Sequence, residues 1–218
     1  ISIMQRIVGR LVVLVLLGAL ALVSGQVPAA QDISMEPRRE TWQRVPDLFA
    51  AGRVDEGDVV ADVGAGDGFL TVRLAAAVGA RGKVYASDID PPSNERLRKR
   101  LAEGKVENVE VVHVTADNPG LPPRRLDSVF MVNAYHEMPQ AILREIRRAM
   151  KPNAVLVLSE PVPGAAGQPR ETQIENHVID PPVVIADLEA AGFSIVSRDD
   201  AFAKNLGGAV FGLIVARN

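Results

Sequence analysis

The sequence predicts a doubly wound α/β domain, a mostly parallel seven-stranded sheet with helices on both faces. Three observations carry that prediction. An apolar run, Val59 to Val63, leads into a glycine-punctuated turn (Gly64, Gly66, Gly68) and then a helical pattern with Leu70, Leu74 and Val78 on one face. Strand-like and helix-like segments then alternate along the chain. Val155 to Ser159 is a continuous apolar run of the kind buried on both faces of a parallel sheet.

The elements follow in order. Residues 31–56 read as a covering segment: Trp42, Val45 and Phe49 have helical spacing, and Pro46 sets a break or a helix start between them. The first strand is Val59 to Val63 and the first helix Gly68 to Val78, closed by Gly79 and Gly82. Strand two, Lys83 to Asp88, is followed by Pro91-Pro92 and a helix through Leu101. Strand three is Val109 to Val114, and a loop runs from Gly120 to Arg125. Strand four, Leu126 to Val132, precedes a helix from Gln140 to Met150 that stacks Ile142, Ile146 and Met150. After strand five, Pro161 to Pro169 reads as a functional loop, and Val183 to Ala191 as the last helix. Ser194 to Arg198 and Ala209 to Ala216 close the sheet. Residues 57–218 thus form one domain with no internal repeat, of a size that buries a sizeable core.

Composition removes several functions. A net charge of -3 gives no basic field for a phosphate backbone, and 4% aromatic residues make no base-stacking platform. Nucleic acid is therefore not an expected partner. Arg96, Arg98, Lys99 and Arg100 cluster, but on the polar side of a helix that buries Leu97 and Leu101. Cysteine is absent, which removes disulfides, thiolate nucleophiles and Cys-bound metals.

Residues 1–30 read as a signal peptide or N-terminal membrane anchor. Arg6 and Arg10 precede the apolar run Leu11 to Val23, about 13 residues and short for a span. Small residues after it, at Ser24-Gly25 and Ala29-Ala30, suit cleavage. The domain is expected to be exported, periplasmic or anchored facing outside, with membrane contact only through this segment; a buried N-terminal helix and a cytoplasmic domain are the alternative. The oligomeric state is open.

Strand, glycine turn and helix present backbone N–H groups to a nucleotide-like ligand. The spacing is G-x-G-x-G, and Phe69 stands where a dinucleotide fingerprint has its last glycine, which turns the reading away from NAD. Asp62, Asp88, Asp117, Asn133 and Glu160 collect at the strand ends, where ligands of such sheets bind.

With these residues aligned, the chain resembles the class I S-adenosylmethionine-dependent methyltransferases from about Val59 to Arg217. The pieces appear in order: DVGAGDG at 62–68, VYASDIDP at 84–91, TAD at 115–117, LDSVFMVNAYHEM at 126–138 and LREIRRAMKPNAVLVLSEP at 143–161. Within that class it is similar to small bacterial methyltransferases of undefined substrate, through the lead-in Arg39, Trp42 and Gln43, the Y-H-E after strand four, and a later histidine. The resemblance implies a Rossmann-like methyltransferase fold with S-adenosylmethionine as cofactor. Gly64, Ala65, Gly66 and Gly68 would carry the loop under its methionine and ribose, and Asp62 would face its ammonium group. Asp88, 20 residues past Gly68, would accept the ribose hydroxyls, with Asp90 as the rival. Ile89 would pack on adenine, Asp117 would accept from its amino group, and Asn133 would line the same cleft. Two departures stand out: Asp67 at a position often Thr or Ser, and Asn153 in place of a glycine, in a turn whose left-handed geometry Asn tolerates.

Methyl transfer from a sulfonium needs alignment above all, and a base only where the acceptor carries a proton. His136 is the candidate base, with Tyr135 and Glu137 to orient it or to bind the acceptor. His177 lies in Glu171 to Ile179, a segment able to fold back over the site, and is expected to be solvated or to cap a helix. His136, Glu137, Glu160 and His177 offer donors, yet Gln140 replaces the second histidine of H-E-x-x-H, so no metal site is expected. The expected acceptor is a small molecule. A non-catalytic S-adenosylmethionine-binding protein and an NAD-dependent oxidoreductase are the rival functions.

Overall fold

The sheet is organised around β1 (Val59–Val63), whose apolar residues face helices on both sides. The computed structural model describes residues 36–115 and 117–218; the leader expected in residues 1–30 and the first residues of the covering segment lie outside them. In β1, Ala61 and Val63 enter one core and Val60 the other, as the two-residue period of a strand requires. Parallel partners follow: β2 (Lys83–Asp88) beside β1, β3 (Val109–His113) beside β2, β4 (Leu126–Val132) on the other side of β1, and β5 (Met150–Pro161) beside β4. Two antiparallel strands, β6 (Ser194–Lys204) and β7 (Val210–Arg217), complete the order β3-β2-β1-β4-β5-β7-β6. The chain steps outward from β1 to β3 and then returns to lay β4 against β1. That reversal opens a crevice beyond the carboxyl ends of β1 and β4.

Helices α1 (Glu36–Trp42), α2 (Val45–Gly52), α3 (Phe69–Val78) and α4 (Pro91–Glu103) join α5 (Ile142–Ala149), α6 (Arg170–Glu175) and α7 (Pro181–Ala190). Leu48 of α2 and Leu70 and Leu74 of α3 cover one face of the sheet, against Phe130 and Val157. Ile142 and Ile146 of α5 and Leu188 of α7 cover the other, against Met131 and Leu156. On α4, Leu97 and Leu101 are buried while Arg98 pairs outward with Glu95, the solvated face expected there. Asn153 has φ 65°, the left-handed turn anticipated for it. No helix among the described residues is long and apolar enough to cross a membrane.

Several boundaries moved, each for a physical reason. The covering segment is two helices, because Arg44 takes a left-handed φ of 53° and Pro46 starts the second one. Trp42 then packs its ring 4.9 Å from that of Phe211. Met150 is buried as the helical stripe suggested, but as the first residue of β5, pairing with Leu126. A single apolar residue fits either period, so burial alone did not mark the switch from helix to strand. β6 extends through Arg198, Asp199 and Asp200, a charged stretch on an edge strand where no alternation is required. The segment before α7, to which no element had been assigned, contains α6, and a 3-10 turn at Tyr135–Glu137 follows β4.

Candidate active site

The glycine turn after β1 is held by its own backbone. The N–H groups of Gly64 and Ala65 donate to the Ser87 carbonyl at 2.8 and 3.1 Å, tying the turn to the end of β2. Gly64 has φ 80°, and a Cβ there would come within 2.3 Å of the Ala134 Cβ. Gly68 has φ 88°, and its Cβ would meet Leu97 at the same distance. Only glycine satisfies both the left-handed conformation and the close approach. The N-cap residue Gly68 has no side chain to cap α3, and the buried Asp62 carboxylate bonds the backbone of Thr71 in its first turn.

Asp62 is buried under this turn, where the Thr71 hydroxyl donates to it at 2.6 Å. Burial raises its carboxyl from 3.8 to about 6, against the bonds from Thr71 and the charge of Arg39. Its nearest partner is thus Thr71 of α3, and it supports the turn from beneath. Asp88 is half-buried at the end of β2, with Oδ2 accepting from Gly66 N–H at 2.7 Å and Oδ1 from Asp90 N–H at 2.8 Å. A carboxylate has about four acceptor positions, so this fixed group keeps about two of them. The rival Asp90 caps α4, its Oδ2 accepting from the Ser93 N–H and hydroxyl. Ile89 is 62% exposed, an apolar surface left beside Asp88. Asp117, exposed after β3, accepts from the Thr115 hydroxyl at 2.8 Å. Asn133, exposed at φ 57°, follows β4 and donates its N–H to Ser159.

The 3-10 turn brings a second group of side chains to the same crevice. Glu160, buried near the end of β5, accepts the Ala134 and Tyr135 N–H groups on Oε1 at 2.9 and 2.8 Å. Its Oε2 lies 2.7 Å from His136 Nδ1. A carboxylate only accepts, so Nδ1 carries the proton and Nε2 is left with a lone pair. Nε2 lies 3.7 Å from Glu137 Oε1, and His177 Nδ1 lies 2.8 Å from that same oxygen. Burial disfavours the imidazolium of His136, but Glu160 and then Glu137 outweigh it and raise its affinity for a proton. His177 closes α6 with φ 53° and turns its ring edge-on to His136, 5.8 Å between centroids. His177 is solvated and closes a helix, as expected, and its ring in addition bonds Glu137 and lies edge-on to His136.

Tyr135 points the other way. It is fully buried, and its hydroxyl donates to Asp187 of α7 at 2.7 Å, with Arg170 and Gln140 on the same carboxylate. Burial and Asp187 together push the phenol well above its ordinary range. Orientation of His136 therefore falls to Glu160, which the strand-end pattern flagged without a role. Arg39 went unassigned as well. Its guanidinium lies 4.1 Å above the Phe69 ring while its charge acts on Asp62, so the covering helix reaches the glycine turn.

Residues 60–153, from β1 into β5, match a family model described as a methyltransferase domain. A solved S-adenosylmethionine-dependent methyltransferase from Aquifex aeolicus superposes with a TM-score of 0.69 at 27% identity, covering 83% of this chain and 92% of that one. The chain is 33% identical over 101 residues to a protein-L-isoaspartate O-methyltransferase of Ignicoccus hospitalis, 46% of this chain and 47% of that protein. It is 29% identical over 125 residues to a demethylmenaquinone methyltransferase of a Geobacillus species, 56% and 53% of the two. The chain spans about half the length of these curated relatives. The matched segment, β1 into β5, is similar to a methyltransferase domain, and the sheet order and superposition give the chain the fold of that solved S-adenosylmethionine-dependent methyltransferase. The solved neighbour depends on S-adenosylmethionine. The glycine cradle that a Cβ would fill, the fixed acceptor Asp88 and the uncovered Ile89 fit that molecule.

Proposed function

We propose that this chain transfers the methyl group of S-adenosylmethionine to a small-molecule acceptor by in-line displacement. The observation that carries the reading is that two prepared groups stand at the same end of the sheet, on either side of β1. Asp88 is held on the glycine turn, and the buried His136 on Glu160, at the ends of β2 and β4 around one crevice. When bound, the cofactor supplies an electrophilic methyl group, whose bond to sulfur breaks with the electron pair leaving on sulfur. Asp88 takes the ribose hydroxyls, Ile89 covers adenine, and Asp117 accepts from the adenine amino group. Asn133 lines the cleft between cofactor and acceptor. His136 presents Nε2 to the acceptor and removes its proton where it carries one, because Glu160 already holds Nδ1. Glu137, exposed at the rim, contacts the acceptor; Tyr135 is a positioning residue that pins the turn to α7.

The Y-H-E turn supports the finer likeness to small bacterial methyltransferases of undefined substrate. The basic, apolar and small-residue order of residues 1–30 supports export of the domain, which N-terminal sequencing of a periplasmic fraction tests. For the activity, calorimetry with S-adenosylmethionine against NAD is expected to show binding of the first alone. A panel of small acceptors scored by release of S-adenosylhomocysteine then separates an enzyme from a binding protein. NAD binding in place of S-adenosylmethionine would end the proposal, and tight cofactor binding with no turnover on any acceptor would favour the non-catalytic reading.

A further inference from the structure

His136, Glu137 and His177 form a group that methyl transfer alone does not call for. Their donor atoms, one from each residue, lie within 4.8 Å of one another. A tetrahedral ion with bonds of about 2.0–2.1 Å holds its ligands roughly 3.3 Å apart. The 2.8 and 3.7 Å separations from Glu137 Oε1 bracket that spacing, and the two imidazole nitrogens lie within 4.8 Å, so side-chain rotations can bring all three toward one point. Glu137 and His177 have side chains more than half exposed and free to make that adjustment.

A second, independent observation comes from behind the ring. The pair formed by Glu160 and His136 Nδ1 is the carboxylate–histidine arrangement that fixes the tautomer of a metal-bound imidazole and raises its basicity. Glu160 is itself held by two backbone N–H groups, so the ring is set before any ligand arrives. The lone pair on Nε2 is directed to the side where Glu137 and His177 lie. His177 reaches its place from a left-handed φ of 53°, a strained conformation for a non-glycine residue that has a use here beyond ending α6. Two of the chain's three histidines thus meet at one carboxylate, although 40 residues separate His177 from Glu137.

We propose that His136 Nε2, Glu137 and His177 bind a divalent first-row transition-metal ion, of the Zn2+ class, at the acceptor side of the crevice. Two imidazoles and one carboxylate are a donor set for such ions, and three protein ligands leave a position open to water or to an acceptor oxygen. An acceptor hydroxyl bound there loses its proton to solvent more readily, and its oxygen is presented as the nucleophile while His136 serves as ligand instead of base. That use rests on the methyl-transfer reading; the binding of the ion does not.

The test is titration of the tag-free, chelator-stripped full chain with Zn2+ alone by calorimetry, and with Co2+ by visible absorption. The chain has no cysteine, so thiolates contribute nothing to either signal. One equivalent is expected to bind at micromolar affinity or tighter. His177→Ala and Glu137→Gln, both at exposed side chains, are each expected to weaken binding at least about 10-fold with an unchanged circular dichroism spectrum. Glu160→Gln is expected to weaken it about 10–100-fold. Failure of the wild-type chain to bind, or His177→Ala binding as the wild type does, overturns the site. S-adenosylmethionine calorimetry on the same stripped sample keeps the two readings apart: metal binding without cofactor binding leaves the site standing and removes the methyl-transfer reading.

Discussion

The two halves of the crevice are built by different means. On the side of β1 and β2, the groups that face a cofactor are backbone amides and one carboxylate that the backbone holds, as Gly66 N–H holds Asp88. Asp62 and Thr71 there are only 9 residues apart. On the side of β4 and β5, the work is done by side chains brought from far along the chain. His136 meets Glu160 across 24 residues, Glu137 meets His177 across 40, and Tyr135 meets Asp187 across 52. In the proposed function the cofactor meets the first kind of construction and the acceptor the second. The first half is therefore expected to fail in binding when altered, and the second in turnover.

Four substitutions break or sharpen that division, from the largest effect down. His136→Gln is expected to lower kcat by about 10²–10⁴ on a true acceptor while leaving S-adenosylmethionine affinity within a few-fold. A parallel loss of cofactor binding would merge the two halves. Asp88→Ala is expected to weaken S-adenosylmethionine about 100-fold by calorimetry, through two lost hydrogen bonds to a charged group, and to leave Zn2+ binding unchanged. An unaltered Kd would remove the ribose assignment.

Asp62→Asn tests the foundation of the first half. The unfolded carboxyl releases its proton near 3.8 and the folded one near 6, so between those values the folded state holds more protons and stability falls as pH rises. Above pH 6 the buried charge costs about 3 kcal/mol. The amide, which keeps an acceptor for Thr71, is expected to stabilise the apo chain by about that amount above pH 6 and by nothing below pH 4, in denaturant titrations. A gain that does not vary with pH would show that the carboxyl is not the source. Tyr135→Phe is the mildest change. It leaves Asp187 with Arg170 and Gln140, and is expected to cost about 1–2 kcal/mol in denaturant titrations with cofactor affinity unchanged. Loss of cofactor affinity would show that the turn after β4 belongs to both halves.

How much of this was legible follows the same division. β1, β2 and β4 have the bounds predicted for them, because a strand buried on both faces keeps a mostly apolar centre with its polar residues near the ends. The edge strand β6 outran its prediction, since a strand with one open side carries no such constraint. The α6 helix and the 3-10 turn are too short to show a period at all. In the site, the glycines and Asp88 announced themselves through spacing along consecutive elements. Glu160 showed as a polar residue closing an apolar run and as a possible metal donor, not as the partner that orients His136, and Arg39 as part of a lead-in with no stated chemistry.

The sequence by itself determined the sheet class, the glycine turn and the order of the strands and main helices. All of these rest on local periodicity and backbone conformation, which a run of residues encodes directly. Only the tertiary structure decided that Tyr135 turns to Asp187, that Asp90 caps α4, and that His177 comes onto Glu137 opposite His136. Contacts across tens of residues depend on how strands β4 and β5 and helices α6 and α7 pack together, and spacing along the chain does not contain that geometry.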